Sequence, residues 1–156
     1  MKSLTLFRHA KTERDSLTGR DIDRPLSERG ERDAPRMGEE IRKLRLDYDL
    51  VLSSPAARAV ETAELAGLAP RFDERIYDAP AGRLLAIAQE SEEIIARLML
   101  VGHNPGFERL ASMLTGEEIE MPTGSLIEIE LPIESWSDAG TAPGRAVRFL
   151  KPKELD

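Results

Sequence analysis

Residues 4–13 read LTLFRHAKTE, a short apolar run from Leu4 to Phe7 that ends at once in Arg8-His9. The run, flanked by polar residues, predicts a strand over Ser3–Phe7. The chain has only two histidines, and the second, His103, stands in LMLVGHNPG at residues 98–106, again just past an apolar run. Two histidines at the ends of two predicted strands leave three readings open: chance, a metal pair, or two halves of one catalytic site.

Outward from this stretch, strands and helices alternate. Lys11–Pro25 is polar and punctuated by Gly19 and Pro25, a loop. Ala34, Met37, Ile41 and Leu44 recur at helical spacing, with Ser27 as a cap candidate; Gly30 and Pro35 place the firm start of this helix near Pro35. Asp49–Ser53 (DLVLS) reads as a second buried strand. Pro55 suits the first turn of a helix that runs to about Ala66 and ends at Gly67. A short strand is expected at Arg71–Phe72, helix at Leu84–Gln89, the end of a further helix at Ile94–Arg97, and a buried strand at Leu98–Val101. FERLASMLTG, residues 107–116, forms a compact helix closed by Gly116. Ser125–Leu131 alternates apolar residues with glutamate, as a half-exposed edge strand should, and Ala146–Leu150 offers a last strand.

This alternation predicts an α/β fold: a single domain over residues 1–156, built as a three-layer αβα sandwich with a mainly parallel central sheet. In such sheets ligands bind beyond the carboxyl ends of the strands. Arg8-His9, Ser53-Ser54 and Gly102-His103-Asn104 all follow strands, so they should share one rim.

Composition narrows the function classes. Hydrophobic residues make up 40% of the 156 and charged residues 33%, the balance of a soluble globular chain. No apolar run is long enough to cross a bilayer and no signal-peptide pattern opens the chain, so no membrane association and a cytoplasmic location are expected. The absence of cysteine removes disulfide and thiolate chemistry. A net charge of -7 argues against nucleic-acid binding, which draws its affinity from phosphate neutralisation. A small phosphorylated group remains compatible, because a few arginines in a cleft set the local potential.

The rim supplies such arginines. Arg8 joins the two imidazoles, and Arg58 follows Ser54-Pro55 in the next helix. Guanidinium forks match phosphate oxygens in a bidentate way, and helix-start N–H groups add donors. A neutral imidazole aimed at phosphorus is a nucleophile, and the cations stabilise the charge on the transferring phosphoryl group. This chemistry needs no metal and no cofactor, and no cluster of carboxylates stands at metal-ligand spacing. Taken singly, each residue also has an ordinary reading: a satisfied Arg-His pair, or a solvated helix arginine.

Four ordered blocks add a family resemblance. LFRHAKTE resembles the Arg-His signature of the histidine phosphatase superfamily, the phosphoglycerate-mutase-like group. DIDRPLSERG (21–30), LVLSSPAARAVETAE (50–64) and LMLVGHNPG resemble its later segments. The likeness runs from about Leu4 to Leu131, and the RHA-K, HNP and PTGSL pieces are most similar to the SixA-type phosphohistidine phosphatase branch. The resemblance implies His9 as nucleophile and Arg8, Arg58 and His103 as the phosphate pocket. It places Asn104 where it orients His103 or borders the pocket, Arg24 at the entrance, and Thr123, Gly124 and Ser125 near the site.

One departure matters. Many relatives acting on small phosphoesters carry a glutamate general acid on an inserted loop, whereas the corresponding region here reads RIYDAPAGRLL (75–85), with no room for a large cap insertion. Asp78 is the nearest candidate acid, with a helix cap before Ala79-Pro80 as its ordinary role. An alkoxide leaving group benefits greatly from protonation, but the nitrogen of a phosphoramidate leaves readily as a neutral amine or imidazole. A site without a dedicated acid therefore tilts toward phosphohistidine. The missing cap predicts an open site that admits a phosphorylated protein, with Lys11, Arg20, Arg24 and Arg83 as contact candidates. A small phosphorylated substrate, or a binding module that holds phosphate without turnover, remains the alternative.

Overall fold

The computed structural model describes residues 1–155. The opening apolar run becomes β1 (Lys2–Arg8), and the later runs become β2 (Leu50–Ser53), β3 (Arg71–Phe72), β4 (Arg97–Gly102), β5 (Leu126–Leu131) and β6 (Arg145–Leu150). They form one sheet in the order β3-β2-β4-β1-β5-β6. β1 and β2 pair parallel with β4, and β3 pairs parallel with β2. β5 alone is reversed, running antiparallel to both β1 and β6. The sheet is thus mainly parallel.

Four helices cover it: α1 (Glu28–Lys43), α2 (Ala57–Leu65), α3 (Ala81–Gln89) and α4 (Gly106–Thr115). The two-residue period of β1 divides its side chains between two cores. Leu4 and Leu6 pack with Leu84 and Ile87 of α3 and with Leu110 and Leu114 of α4. Phe7 packs with Met37 and Ile41 of α1 and with Ala59 and Ala63 of α2. Helices therefore lie on both faces, which is the αβα sandwich the alternation implied. Among the described residues no helix is long and apolar enough to cross a membrane.

The structure differs from the sequence reading at four places. α1 starts at Glu28 rather than near Pro35, with the Ser27 side chain accepting from the Gly30 N–H at 3.2 Å. Pro35 costs one helical hydrogen bond in the interior, about 3 kcal/mol as a propensity, and burial of Ala34, Met37 and Ile41 on the same helix outweighs it. No helix ends at Ile94–Arg97; the chain turns there, and the Ala96 and Arg97 N–H groups donate to Asp49 Oδ2 at 2.9 Å each. β5 is an interior strand, because β6 covers its outer side. Its Glu128 is only 7% exposed and accepts from Ser3 Oγ, Arg97 and Arg148, at 3.1, 3.1 and 3.2 Å. The alternation in LIEIEL thus records a buried acid compensated by Arg148 on the adjacent β6 and by Arg97, which reaches it from β4 across β1. Finally, α3 begins at Ala81 after Pro80, with no side-chain cap, so Asp78 does not cap it.

Two glycines mark constraints of space and conformation. Gly116 closes α4 at φ 73°, a left-handed cap that suits a residue without Cβ. Gly38 lets α1 pass against the end of α2, where an added methyl would lie 2.7 Å from Ala66 Cα and closer still to the Ala66 carbonyl oxygen. Backbone moves less readily than a side chain, so Gly38→Ala should force the helices apart. We expect a loss of about 2–3 kcal/mol, read as a lower urea midpoint at unchanged slope.

Candidate active site

The pairing register brings the strand ends together. Arg8 stands opposite Gly102 and Ser53 opposite Val101, so His9, Ser54 and His103 begin three neighbouring loops on one rim. Backbone bonds continue the sheet past its last residues: the His9 N–H donates to the Gly102 carbonyl at 3.1 Å, and the Ser54 N–H to Val101 at 2.9 Å. The two imidazoles lie with ring centroids 5.4 Å apart, and each residue is 7% exposed. The shared rim expected from strand order is present.

His9 is held firmly on both sides. Its Nδ1 lies 2.8 Å from the Ala10 carbonyl, which can only accept, so the proton sits on Nδ1 and Nε2 carries the lone pair. The Ala10 N–H donates to Thr62 Oγ1 at 3.0 Å, and that hydroxyl donates to the Arg58 carbonyl at 2.7 Å within α2. The Gly124 N–H donates to the His9 carbonyl at 2.8 Å, and the Arg8 N–H to the Ser125 carbonyl at 2.9 Å. Gly124 and Ser125 therefore do lie against the site, as backbone supports.

Arg8 and Arg58 are each tied by one side of the guanidinium. Arg8 donates to the Met121 carbonyl at 2.8 Å, and the Met121 N–H donates to Glu108 at 2.8 Å. Asn104 also donates to the Met121 carbonyl, at 3.0 Å, so its amide braces the Arg8 partner instead of a His103 ring nitrogen. Arg58 donates to the Asp21 carbonyl oxygen at 2.9 Å and to Asp21 Oδ2 at 3.0 Å. The Tyr77 hydroxyl donates to the same Oδ2 at 2.6 Å, and Arg24 donates to Asp21 Oδ1 at 3.0 Å. Arg24 also holds the Glu13 carbonyl and Thr12 Oγ1, which fixes the loop after His9.

Asp21 is thus a hub that sequence reasoning missed. It sits in the quoted DIDRPLSERG segment, but nothing in a separation of 37 residues links it to Arg58. Tyr77 was missed for the same reason; it stands edge-on to the His103 ring at 5.7 Å. Thr62 lay within reach, since four residues from Arg58 is one helical turn. Asp78 follows Tyr77 in a left-handed conformation, φ 54°, with its side chain exposed. Lys11, Arg20 and Arg83 are exposed.

Burial sets the protonation states. Burial pushes His9 down to about 4, opposed by its bond to the Ala10 carbonyl and assisted by Arg8, Arg58 and Arg24. Burial pushes His103 down to about 3, with Arg58 and His9 assisting. Both rings are therefore neutral at pH 7. The Tyr77 hydrogen bond, followed by the arginines, holds the Asp21 carboxyl below the usual carboxylate range, and the Asp21 partner in turn raises the Tyr77 phenol.

A pH dependence of stability follows. Both histidines have folded pKa values below their ordinary 6.5, so below that pH the unfolded chain takes up protons that the folded chain refuses. Their contribution is complete above pH 6.5 and is lost as pH falls, down to about 4 for His9 and about 3 for His103. The slope approaches about 1.4 kcal/mol per pH unit for each histidine. Urea melts from pH 7 to pH 5 should show this decline, and a His9→Asn/His103→Asn double variant should flatten it.

Comparison with known proteins gives the family and the fold. The model of the histidine phosphatase superfamily (branch 1) matches residues 4–118. An uncharacterized chloroplastic protein of Arabidopsis thaliana is 32% identical over 161 residues, covering 92% of this chain and 72% of its own. An uncharacterized protein of Mycobacterium tuberculosis is 37% identical over 111 residues, 69% of either chain. Among solved structures, a protein of Agrobacterium tumefaciens assigned as the phosphohistidine phosphatase SixA is 29% identical with a TM-score of 0.82, covering 97% of this chain and 98% of its own. The protein histidine phosphatase SixA complexed with tungstate shares the fold at a TM-score of 0.84 and 21% identity, with 99% of each chain covered. With its two histidines and two arginines gathered on one rim, this chain belongs to the histidine phosphatase superfamily and has the SixA-type fold.

Proposed function

We propose that this protein hydrolyses phosphohistidine in a protein partner through a covalent phosphoryl intermediate on His9. The observation that carries the proposal is the His9 tautomer. A neutral ring with its Nδ1 proton committed to the Ala10 carbonyl leaves the Nε2 lone pair as the reactive position. Arg8, Arg58 and His103 hold the phosphoryl oxygens, and His9 Nε2 attacks phosphorus in line. The P–N bond to the substrate ring, which carries a proton on its other nitrogen, breaks as the new P–Nε2 bond forms, and the leaving nitrogen keeps the electron pair, so that a neutral imidazole departs. Water then attacks phosphorus, the P–Nε2 bond breaks, and inorganic phosphate departs.

The choice of substrate rests on proton supply. General acid assistance contributes about 10²–10⁴-fold where a leaving alkoxide must be protonated. Asp21 is ionised at neutral pH, and the raised Tyr77 phenol is a reluctant donor, so neither suits that task. Asp78, next to Tyr77 in the chain and exposed, is the carboxyl left to test. A phosphoramidate needs little help, because its nitrogen leaves as a neutral group. The structural likeness to proteins described as phosphohistidine phosphatases supports the same substrate.

The test is phosphate release from a chemically phosphorylated histidine peptide against p-nitrophenyl phosphate. We expect the peptide to be preferred and His9→Ala to lose at least about 1000-fold. Asp78→Asn should leave the peptide rate within about twofold; a selective fall of about 10²-fold on the ester would instead make Asp78 its acid. Preference for the ester would move the function to small phosphomonoesters. Vanadate binding with no release from either substrate would leave a phosphate-binding module.

A further inference from the structure

The Ser53-Ser54 pair ends β2 on the catalytic rim, and the mechanism above gives it no task. Ser54 is fully buried, and its Oγ lies 2.7 Å from His103 Nε2. The same oxygen accepts the Ala56 N–H at 3.1 Å, so one of its lone pairs is committed. Ser53 donates its own hydroxyl to the Ser54 carbonyl at 2.9 Å and does not reach the ring. The other ring nitrogen, His103 Nδ1, is buried and has no partner among the described residues.

Two proton arrangements fit the short bond, and they differ in what they leave unpaired. With the proton on Nε2, the ring donates to Ser54 Oγ. The Ser54 hydroxyl proton then has no acceptor, and an Nδ1 lone pair is buried without a partner on a ring that feels the charges of Arg8 and Arg58. With the proton on Nδ1, the Ser54 hydroxyl donates to Nε2 and both atoms are satisfied. Only the Nδ1–H remains over, and an N–H is the group that a phosphoryl oxygen accepts. Leaving one buried polar group unpaired costs less than leaving two, and a lone pair facing a dianion would repel it.

We propose that Ser54 is a positioning residue that fixes His103 as the Nδ1–H tautomer, so that this N–H becomes a hydrogen-bond donor to the phosphoryl group. The inference rests on the phosphoryl-transfer reading of the site. It gives the two histidines the same tautomer by opposite means. His9 is set by an acceptor, the Ala10 carbonyl, at Nδ1, which frees a nucleophilic Nε2. His103 is set by a donor, the Ser54 hydroxyl, at Nε2, which frees a donating Nδ1–H. One ring presents a lone pair and the other a proton, and neither needs to change charge to do so.

The test reads the tautomer directly, by long-range ¹H–¹⁵N correlation spectra of the histidine rings near pH 7 in the substrate-free protein. The expected wild-type result is a protonated Nδ1 and an unprotonated Nε2 on both rings. Orthovanadate should move the His103 Nδ1 resonance. In Ser54→Ala the His103 ring should shift toward the Nε2–H form while His9 stays unchanged. Its kcat/KM should fall by about tenfold, the loss of one buried hydrogen bond, and Ser54→Thr should restore much of it. A wild-type His103 with its proton on Nε2 overturns the proposal. So does vanadate that perturbs His9 but leaves His103 Nδ1 unmoved, or a Ser54→Ala protein with unchanged tautomer and rate. The tautomer needs no substrate to be read. A protein that hydrolyses nothing yet shows the expected spectra would sink the hydrolase reading alone, and an active protein with the other tautomer would sink this one alone.

Discussion

The parallel pairing of β1 with β4 carries the rest of the site. Its register sets Arg8 opposite Gly102, so the next residue on one strand is His9 and the next on the other is His103. A slip of one residue along a strand would turn alternate side chains to the other face. The register is held because Leu4 and Leu6 fill one core and Phe7 the other, each without exposed surface. Side-chain packing at the middle of the strands thus determines the distance between two rings at their ends.

The electrostatics answer a problem that burial creates. Two arginines beside two imidazoles would repel one another if the rings were charged, and burial with those same arginines keeps both rings neutral. The arginines are in turn steadied by carboxylates placed behind them. Asp21 bonds to Arg58 directly, and Glu108 faces Arg8 across the Met121 peptide. An overall net charge of -7 therefore coexists with a locally cationic pocket. Each guanidinium uses only some of its five N–H groups on this support.

Much of this was legible in the chain, and the misses have a common cause. Strand positions followed from apolar runs, and the common rim followed from the rule that ligands gather at the strands' carboxyl ends. Pro35 misled because local helix propensity was weighed without the packing of Ala34, Met37 and Ile41. LIEIEL misled because alternation with glutamate usually means one wet face, whereas Glu128 faces Arg97 and Arg148. Both errors are cases in which a partner far along the chain overruled a local cost.

By itself the sequence determined which candidate residues stand at the strand ends, because those features are local: apolar runs, a histidine after each, and an arginine in the first turn of a helix. Only the tertiary structure decided how they are poised. Asp21 meets Arg58 from 37 residues away, Tyr77 meets Asp21 from 56, and Ser54 meets His103 from 49. No periodicity encodes such contacts. They arise where loops from different strands converge, and proton positions and charge states follow from that convergence and from the exclusion of water around it.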